Sequence, residues 1–373
     1  MSYFVLFLIV VALIFDRLSQ KFALYNLNSN RIITKNLVEI GDEFDIIVTL
    51  ENNKILPVTF VQFVEKFPKD IVYKLKANIT NASEEIYHTS TLSVLPFQRV
   101  QRKYRVYFTK RGRYFMNDVD LKAGDFLGFK TFSKKIKFDN EIIVLPKKIA
   151  LNKLIEPRGS TNGDISVKRW IMDDPTLIVG IREYTGFEPQ KNIHWPSSLK
   201  SGKLMVKQFD YTSDNSAMII LNIETYRPLW LKIDSNKIEK CISLARTIID
   251  DFEDENIPYG FITNAQSENN KDISKEAYIC SNPQHHNTIL KSLGKIVYNV
   301  EISFNELLDN IINSYCNCGT YVIITPIIFE EDINYINNLS NLENKVILIT
   351  LSDKNINYIS NNILTYVEGG NML

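Results

Sequence analysis

The sequence predicts a multidomain chain: an N-terminal hydrophobic helix, then an Ig-like antiparallel β-sandwich, then an α/β domain. Three observations predict it. Tyr3 to Phe15 is a run of thirteen consecutive apolar residues. From about Ile32 to Leu145, short β-branched and aromatic runs alternate with polar residues and are cut by turn residues. After Asp210 the period changes, and apolar strands alternate with helically spaced segments.

The opening run is followed by Asp16 and Arg17. A spanning helix needs about 20 apolar residues to cross about 30 Å of hydrocarbon, so this run is short. It would reach further if Leu18, Phe22, Ala23 and Leu24 extended the helix while Arg17 and Lys21 snorkelled. It lacks a preceding Lys or Arg and a following A-x-A site, so it fits a secretory signal poorly. The expectation is a membrane-anchor helix over residues 1–25, a buried helix or strand being the alternative. Arg17, Lys21, Arg31 and Lys35 all follow the run, which would put the bulk of a single-pass chain in the cytoplasm, on the cell membrane.

Residues 30–150 read as the sandwich. Glu43–Leu50, Val58–Val64 and Lys103–Phe108 carry the strand pattern. Glu51-Asn52-Asn53, Arg111-Gly112-Arg113 and Ala123-Gly124-Asp125 separate such runs. Over 151–210 the pattern weakens. Residues 211–373 read as α/β: strands at Met218–Ile223, Tyr259–Thr263, Tyr321–Ile328 and Lys345–Leu351, with helices at Ile238–Phe252 and Asn305–Tyr315. The charge follows this division. The chain has 43 basic and 43 acidic residues; the first 210 positions hold 32 basic and 22 acidic, and the rest hold 11 and 21. The change of sign places a boundary near Asp210. Four cysteines are too few for a disulfide framework.

Chemistry is sparse. No G-x-x-x-x-G-K-[ST] or G-x-G-x-x-G loop is present, and no H-E-x-x-H or C-x-x-C. Cys316-Asn317-Cys318, Cys280 and His285-His286 do not make up a zinc set. Thr161, in Gly159-Ser160-Thr161-Asn162-Gly163, sits where a nucleophile elbow has its nucleophile, but no strand leads into it. His194, in Ile193-His194-Trp195, could serve a hydrolase with Glu183 or Glu188; the structural alternative is a hydrogen-bonded His beside a packed, inward Trp195. Arg102, Lys103, Arg105, Lys110, Arg111 and Arg113 form the densest basic stretch, with Lys103 and Arg105 on one strand face. It reads as a solvated face or as a binder of an anionic surface. It lacks a nucleic-acid motif, so nucleic acid is not expected as a partner.

Gly180-Ile181-Arg182-Glu183-Tyr184, Ile193-His194-Trp195 and Lys203-Leu204-Met205-Val206-Lys207 resemble the signature of the bacterial domain-of-unknown-function 58 (DUF 58) family, which reads R-E-Y, I-x-W, then L-x-V-[RK]. Lys110-Arg111-Gly112-Arg113-Tyr114 and Gly124-Asp125-Phe126-Leu127-Gly128 are similar to its R-G-x-Y and D-P-F-G-L segments. The likeness extends over most of the chain. Phe187-Glu188 replaces the usual Gly-Asp, Lys191 or Asn192 the usual Arg, and Leu199-Lys200 the usual Ala-Arg.

The resemblance implies an α/β domain of the von Willebrand factor A-like (Rossmann-like) type. There a metal-binding D-x-S-x-S would follow the first strand. This chain has Asn222, Glu224 and Tyr226 in those slots, a degenerate site, so no metal and no cofactor are expected. The resemblance also implies a bacterial membrane protein working with a MoxR-type AAA ATPase, in assembly or remodelling of an envelope complex. Arg182, Glu183, Tyr184, Glu188, Lys191, His194, Trp195, Lys200 and Lys207 are then signature residues that either lace the two domains or form a binding face. The expected function is a non-enzymatic interaction or scaffold protein. The hydrolase centred on His194 and the anionic-surface binder are the alternatives.

Overall fold

The structure is a computed structural model that describes residues 2–75, 78–81, 85–125, 130–151, 155–157, 178–184, 193–209, 216–227, 233–267, 283–313, 318–341 and 345–368. The chain divides into two units, Met1–Lys147 and Lys148–Leu373. The first unit holds 22 basic and 15 acidic residues and the second 21 and 28, so the difference in sign persists at this join.

The first unit opens with helix α1 (Ser2–Phe22), which runs past Arg17 but ends before Ala23 and Leu24. Strands β1 (Leu27–Ile33), β3 (Phe44–Asn52), β8 (Arg99–Phe108) and β5 (Ile71–Tyr73) form a four-stranded sheet in that order. A five-stranded sheet runs β11 (Thr131–Lys137), β10 (Asp118–Gly124), β4 (Val58–Pro68), β7 (Glu85–Val94) and β6 (Ile79–Asn81). A three-stranded sheet holds β2 (Leu37–Glu39), β12 (Glu141–Leu145) and β9 (Gly112–Phe115). All described pairings in this unit are antiparallel except β2 with β12.

Alternation in the sequence becomes burial here. Phe44, Ile46, Val48 and Leu50 of β3 point inward while their neighbours are half-buried. They meet Val61, Phe63, Phe67, Val106, Phe108 and Leu121 in one core. Phe108 stacks between Phe44 and Tyr114, at centroid distances of 5.8 and 4.3 Å.

The core also encloses charge. Arg31, on β1, pairs with Glu65 of β4 at 3.4 Å, and His88 Nδ1 of β7 lies 3.2 Å from the same carboxylate. Neither Arg31 nor Glu65 has an exposed side-chain atom. Arg31 Nε donates to Asn140 Oδ1 at 3.1 Å, and another guanidinium nitrogen donates to the Met116 carbonyl. Burial, with Glu65 nearby, drives the Tyr73 hydroxyl far above its ordinary pKa. This corrects the sequence reading of Arg31 as a basic residue flanking a membrane. It ties the two large sheets to each other instead.

The second unit centres on a six-stranded sheet ordered β13 (Ile155–Pro157), β22 (Leu364–Glu368), β21 (Lys345–Thr350), β20 (Thr320–Thr325), β16 (Ala217–Leu221) and β17 (Tyr259–Thr263). The last five strands are parallel, and β13 is an antiparallel edge. Part of the weakly patterned 151–210 stretch therefore belongs to this sheet. Strands β16, β17 and β20 are buried at every position, as fits a sheet covered on both faces. Helix α3 (Ser235–Asp254) starts at Asp234, whose carboxylate accepts from Lys237 N at 3.2 Å. It buries Ile238, Cys241, Ile242, Ala245, Ile248, Ile249 and Phe252 along one stripe. Helices α4 (Pro283–Lys295), α5 (Phe304–Asn313) and α6 (Glu330–Asn341) complete the unit. It also holds helix α2 (Trp195–Ser201), the hairpin of β14 (Ile178–Glu183) with β15 (Met205–Phe209), and the pair β18 (Ala265–Ser267) with β19 (Ile296–Val300).

Candidate functional site

Among the parallel strands, the chain reverses its direction of travel at β16, which lies between β17 and β20. The carboxyl ends of strands beside such a reversal are where open α/β sheets form binding crevices. Asn222 follows β16 directly. Its side chain donates to Thr325 Oγ1 at 3.0 Å, and its Oδ1 accepts from Asn264 Nδ2 at 2.8 Å and from Glu224 N at 2.9 Å. Glu224 Oε1 accepts from Phe304 N, the first residue of α5, at 2.8 Å. Its Oε2 is clamped by Arg227 Nε at 2.7 Å. The same guanidinium lies 3.0 Å from Asp332 and 3.1 Å from Glu331, over the Phe329 ring at 4.7 Å. Tyr226 faces solvent.

At the place compared with a metal-binding D-x-S-x-S, the polar atoms therefore answer one another, and the positive charge is a guanidinium. Among the described residues no cluster of three or more His, Cys, Asp or Glu is arranged to hold a metal ion.

One guanidinium serves two fully buried carboxylates, leaving a net negative charge inside. Burial pushes the Asp332 carboxyl up to about 6, against the pull of Arg227. Burial raises Glu224 too. For Arg227 burial acts downward, but Asp332 and Glu224 outweigh it and the group ends above its ordinary range. All three shifts run upward and are consistent with one another: three charges share one site, and the surplus charge is negative. A carboxyl raised in the folded state binds its proton more tightly than in the unfolded chain. Its stabilisation is present below about pH 4 and is lost as pH rises to about 6. Asp332→Asn removes that slope. Its urea stability relative to wild type is expected to rise by about 1–3 kcal/mol between pH 4 and pH 7. A difference that does not change with pH refutes the assignment.

The described parts of the signature segment, 178–184 and 193–209, meet beside α2. Tyr184 N donates to Leu204 O at 2.9 Å, His194 N to Met205 O at 2.8 Å, and Met205 N to Ser198 Oγ at 2.8 Å. Gly202, with φ of +68°, ends the helix. His194 is its N-cap: Nδ1 accepts from Ser197 N at 3.2 Å and lies 2.8 Å from Ser197 Oγ. That nitrogen holds a helix end, which gives the hydrolase alternative no support. Replacing His194 by Ala is expected to cost about 0.5–2 kcal/mol, read by urea denaturation; no loss would remove the cap reading.

Glu183, the partner carboxylate the sequence offered, pairs with Lys203 at 2.7 Å on an exposed surface. Trp195 is 61% exposed, which corrects the inward placement: it opens α2 instead of continuing a strand. Ile193 and Val206 are the inward pair. Arg182 and Lys200 are exposed, and Lys207 is half-buried. Glu188 and Lys191 lie outside the described residues, as do Thr161, Cys280 and Cys316.

The basic stretch is also answered locally. Lys103 and Arg105 do share one face, and both pair with Asp45, at 2.9 and 3.1 Å. The Lys103 hydrogen bond and the Arg105 charge hold Asp45 below the usual carboxylate range. Lys110 pairs with Asp70 at 3.2 Å and Arg113 with Glu141 at 2.8 Å. Arg111 is buried, while Arg102 is exposed. The acidic partners come from strands and turns far away in sequence, so the charge run alone overstated the field of this face.

A feature that sequence reasoning missed is the foot of α1. Lys54 Nζ, buried, donates to the carbonyls of Phe22, Ala23 and Tyr25 at 2.5, 2.7 and 2.9 Å. Burial lowers its pKa to about 8. Asp16 is buried, and Gln20 Nε2 donates to it at 2.8 Å and to Asp125 at 3.4 Å. Above this foot the helix presents Tyr3, Phe4, Leu6, Phe7, Ile14 and Leu18 to solvent, from 88% exposure at Tyr3 to 44% at Leu18. Among the described residues, no helix is long and apolar enough to cross a membrane.

No protein-family model and no curated protein matches this chain. Among solved structures, similarity is found to a non-cellulosomal cohesin from the archaeon Archaeoglobus fulgidus, with 10% identity over 32% of this chain and 91% of that one and a TM-score of 0.22. It is also found to the major pilin BcpA of Bacillus cereus, with 7% identity over 33% and 41% of the two chains and a TM-score of 0.24. The major pilin SpaD of Corynebacterium diphtheriae gives 11% identity over 33% and 37%, with a TM-score of 0.24. Such TM-scores carry no argument about function. The β-sandwich and α/β architectures rest on this chain's own strand pairings.

Proposed function

We propose that this protein is a membrane-associated, non-enzymatic interaction protein of the DUF 58 type. The observation that carries the reading is α1: a helix with no polar residue from Tyr3 to Phe15, which exposes Tyr3, Phe4, Leu6, Phe7, Val10 and Ile14, its foot fixed to the sandwich by Lys54. Apolar surface on this scale marks a membrane or partner site, and a helix apolar on every side calls for lipid. Entry into the bilayer suffices for this role, without crossing. Arg17 and Lys21 at the foot favour the cytoplasmic face of the cell membrane.

The second unit supplies the interaction part. Its reading as a von Willebrand factor A-like domain is supported by the parallel sheet with helices between its strands, while Asn222, Glu224 and Tyr226 depart from the metal-binding pattern of that fold. Arg227 stands in for the cation there, so partner binding would proceed without metal. The resemblance to DUF 58 proteins names the partner class: a MoxR-type AAA ATPase acting on an envelope complex. Cross-linked membranes carrying the tagged full chain are expected to yield such an ATPase with a yield that changes when ATP is withdrawn. Recovery of no ATPase under either condition rejects the partner.

A further inference from the structure

We propose that the α1 end of the β-sandwich itself rests in the lipid headgroup layer, through Tyr25, Ile55, Leu95 and Phe97. The inference deepens the membrane reading of α1 and rests on it. These four side chains come from three separate segments and are 59%, 77%, 61% and 69% exposed. Hydrogen bonds gather the segments at one end of the sandwich. Asn52 Nδ2 donates to the carbonyls of Leu56 and Leu95, both at 2.9 Å, and Asn52 N donates to Gln98 O at 2.9 Å. Asn53 N donates to Asn26 O at 3.0 Å, and Lys54 Nζ to Tyr25 O at 2.9 Å. This is also where α1 enters.

Phe97 adds a second signal. Its φ is +54°, a left-handed conformation that costs a non-glycine residue about 1–2 kcal/mol. The side chain so presented covers no core, which marks the tip as held for a contact outside the molecule.

Lipid is the occupant these observations favour. The patch continues the apolar surface of α1, and a bilayer can cover a helix with no polar side together with loops of several heights at its foot. A protein groove covers one stripe. Tyr25 and Phe97 are residue types that settle at the membrane interface, and Arg17 and Lys21, toward the end of α1, would meet anionic headgroups.

The test labels full-length Phe97→Cys and Phe7→Cys with an environment-sensitive fluorophore, the unsubstituted protein serving as baseline for its four natural cysteines. Vesicles of phosphatidylcholine with phosphatidylglycerol are expected to shift both labels to the blue. Spin-labelled lipids should quench the label at 97 best from a shallow position and the label at 7 from a deep one. A parallel Ile55→Ser/Leu95→Ser/Phe97→Ser variant, with melting unchanged, is expected to lose at least about tenfold in vesicle partition. A label at 97 that stays in water while the label at 7 shifts overturns this proposal and leaves the role of α1 standing. If neither label shifts, the membrane reading itself fails. A shift at 97 that needs no vesicles and grows with protein concentration would assign the patch to a second copy of the chain and overturn the lipid assignment.

Discussion

Arg227→Met is expected to destabilise the α/β unit by about 3–5 kcal/mol, the scale for stranding buried charge. The guanidinium is the countercharge of Glu224 and Asp332, neither of which has an exposed side-chain atom. Methionine keeps the length and the contact with Phe329 but leaves two carboxylates without it. Neutralising them as well, with Glu224→Gln and Asp332→Asn, is expected to restore much of the loss. Equilibrium urea unfolding of wild type, Arg227→Met and the triple variant decides it. An Arg227→Met protein as stable as wild type would show that the cluster is not held by charge.

Glu65→Ala is expected to cost a similar amount in the sandwich, about 3–5 kcal/mol. It strands Arg31 between two sheets, beside the orphaned ring of His88. Exchanging Arg31 and Glu65 together for Leu and Met is expected to recover most of the stability, because a buried pair contributes little over well-packed apolar residues. A double exchange as damaging as Glu65→Ala alone would mean that the pair does more than neutralise itself.

How much of this was legible in the sequence depended on whether a signal was local. Strand β17 occupies Tyr259–Thr263 as read, and α3 buries the stripe read from spacing, because short buried strands and amphipathic helices write their period into neighbouring residues. Strands β18 and β19 and helix α4 were not read: β18 spans only Ala265–Ser267, and α4 ends at Lys295 directly before β19 begins at Ile296, so no loop separates the two periods. Arg31, Lys54 and Arg227 were misjudged or passed over for one reason. A lone basic residue in a polar stretch looks like surface, and each of these has a buried partner tens of residues away: Glu65, the Ala23 carbonyl and Asp332. The basic stretch erred in the opposite direction, since Asp45, Asp70 and Glu141 answer it from other strands. In the signature segment His194 was read as a hydrogen-bonded residue, but neither its cap role nor the direction of Trp195 was read, because both depend on a helix starting there.

The central claim is that α1 brings this protein to a membrane. Flotation of the full chain with phosphatidylcholine and phosphatidylglycerol vesicles tests it most directly, with Leu6→Asp/Val10→Asp as the comparison. Each Asp at mid-helix costs about 2.5–3.5 kcal/mol on insertion, while at these exposed positions it should leave the fold intact. The account expects wild type to rise with the vesicles and the double variant to stay below with an unchanged melting temperature. A wild-type chain that stays below, or a double variant that rises equally well, contradicts it.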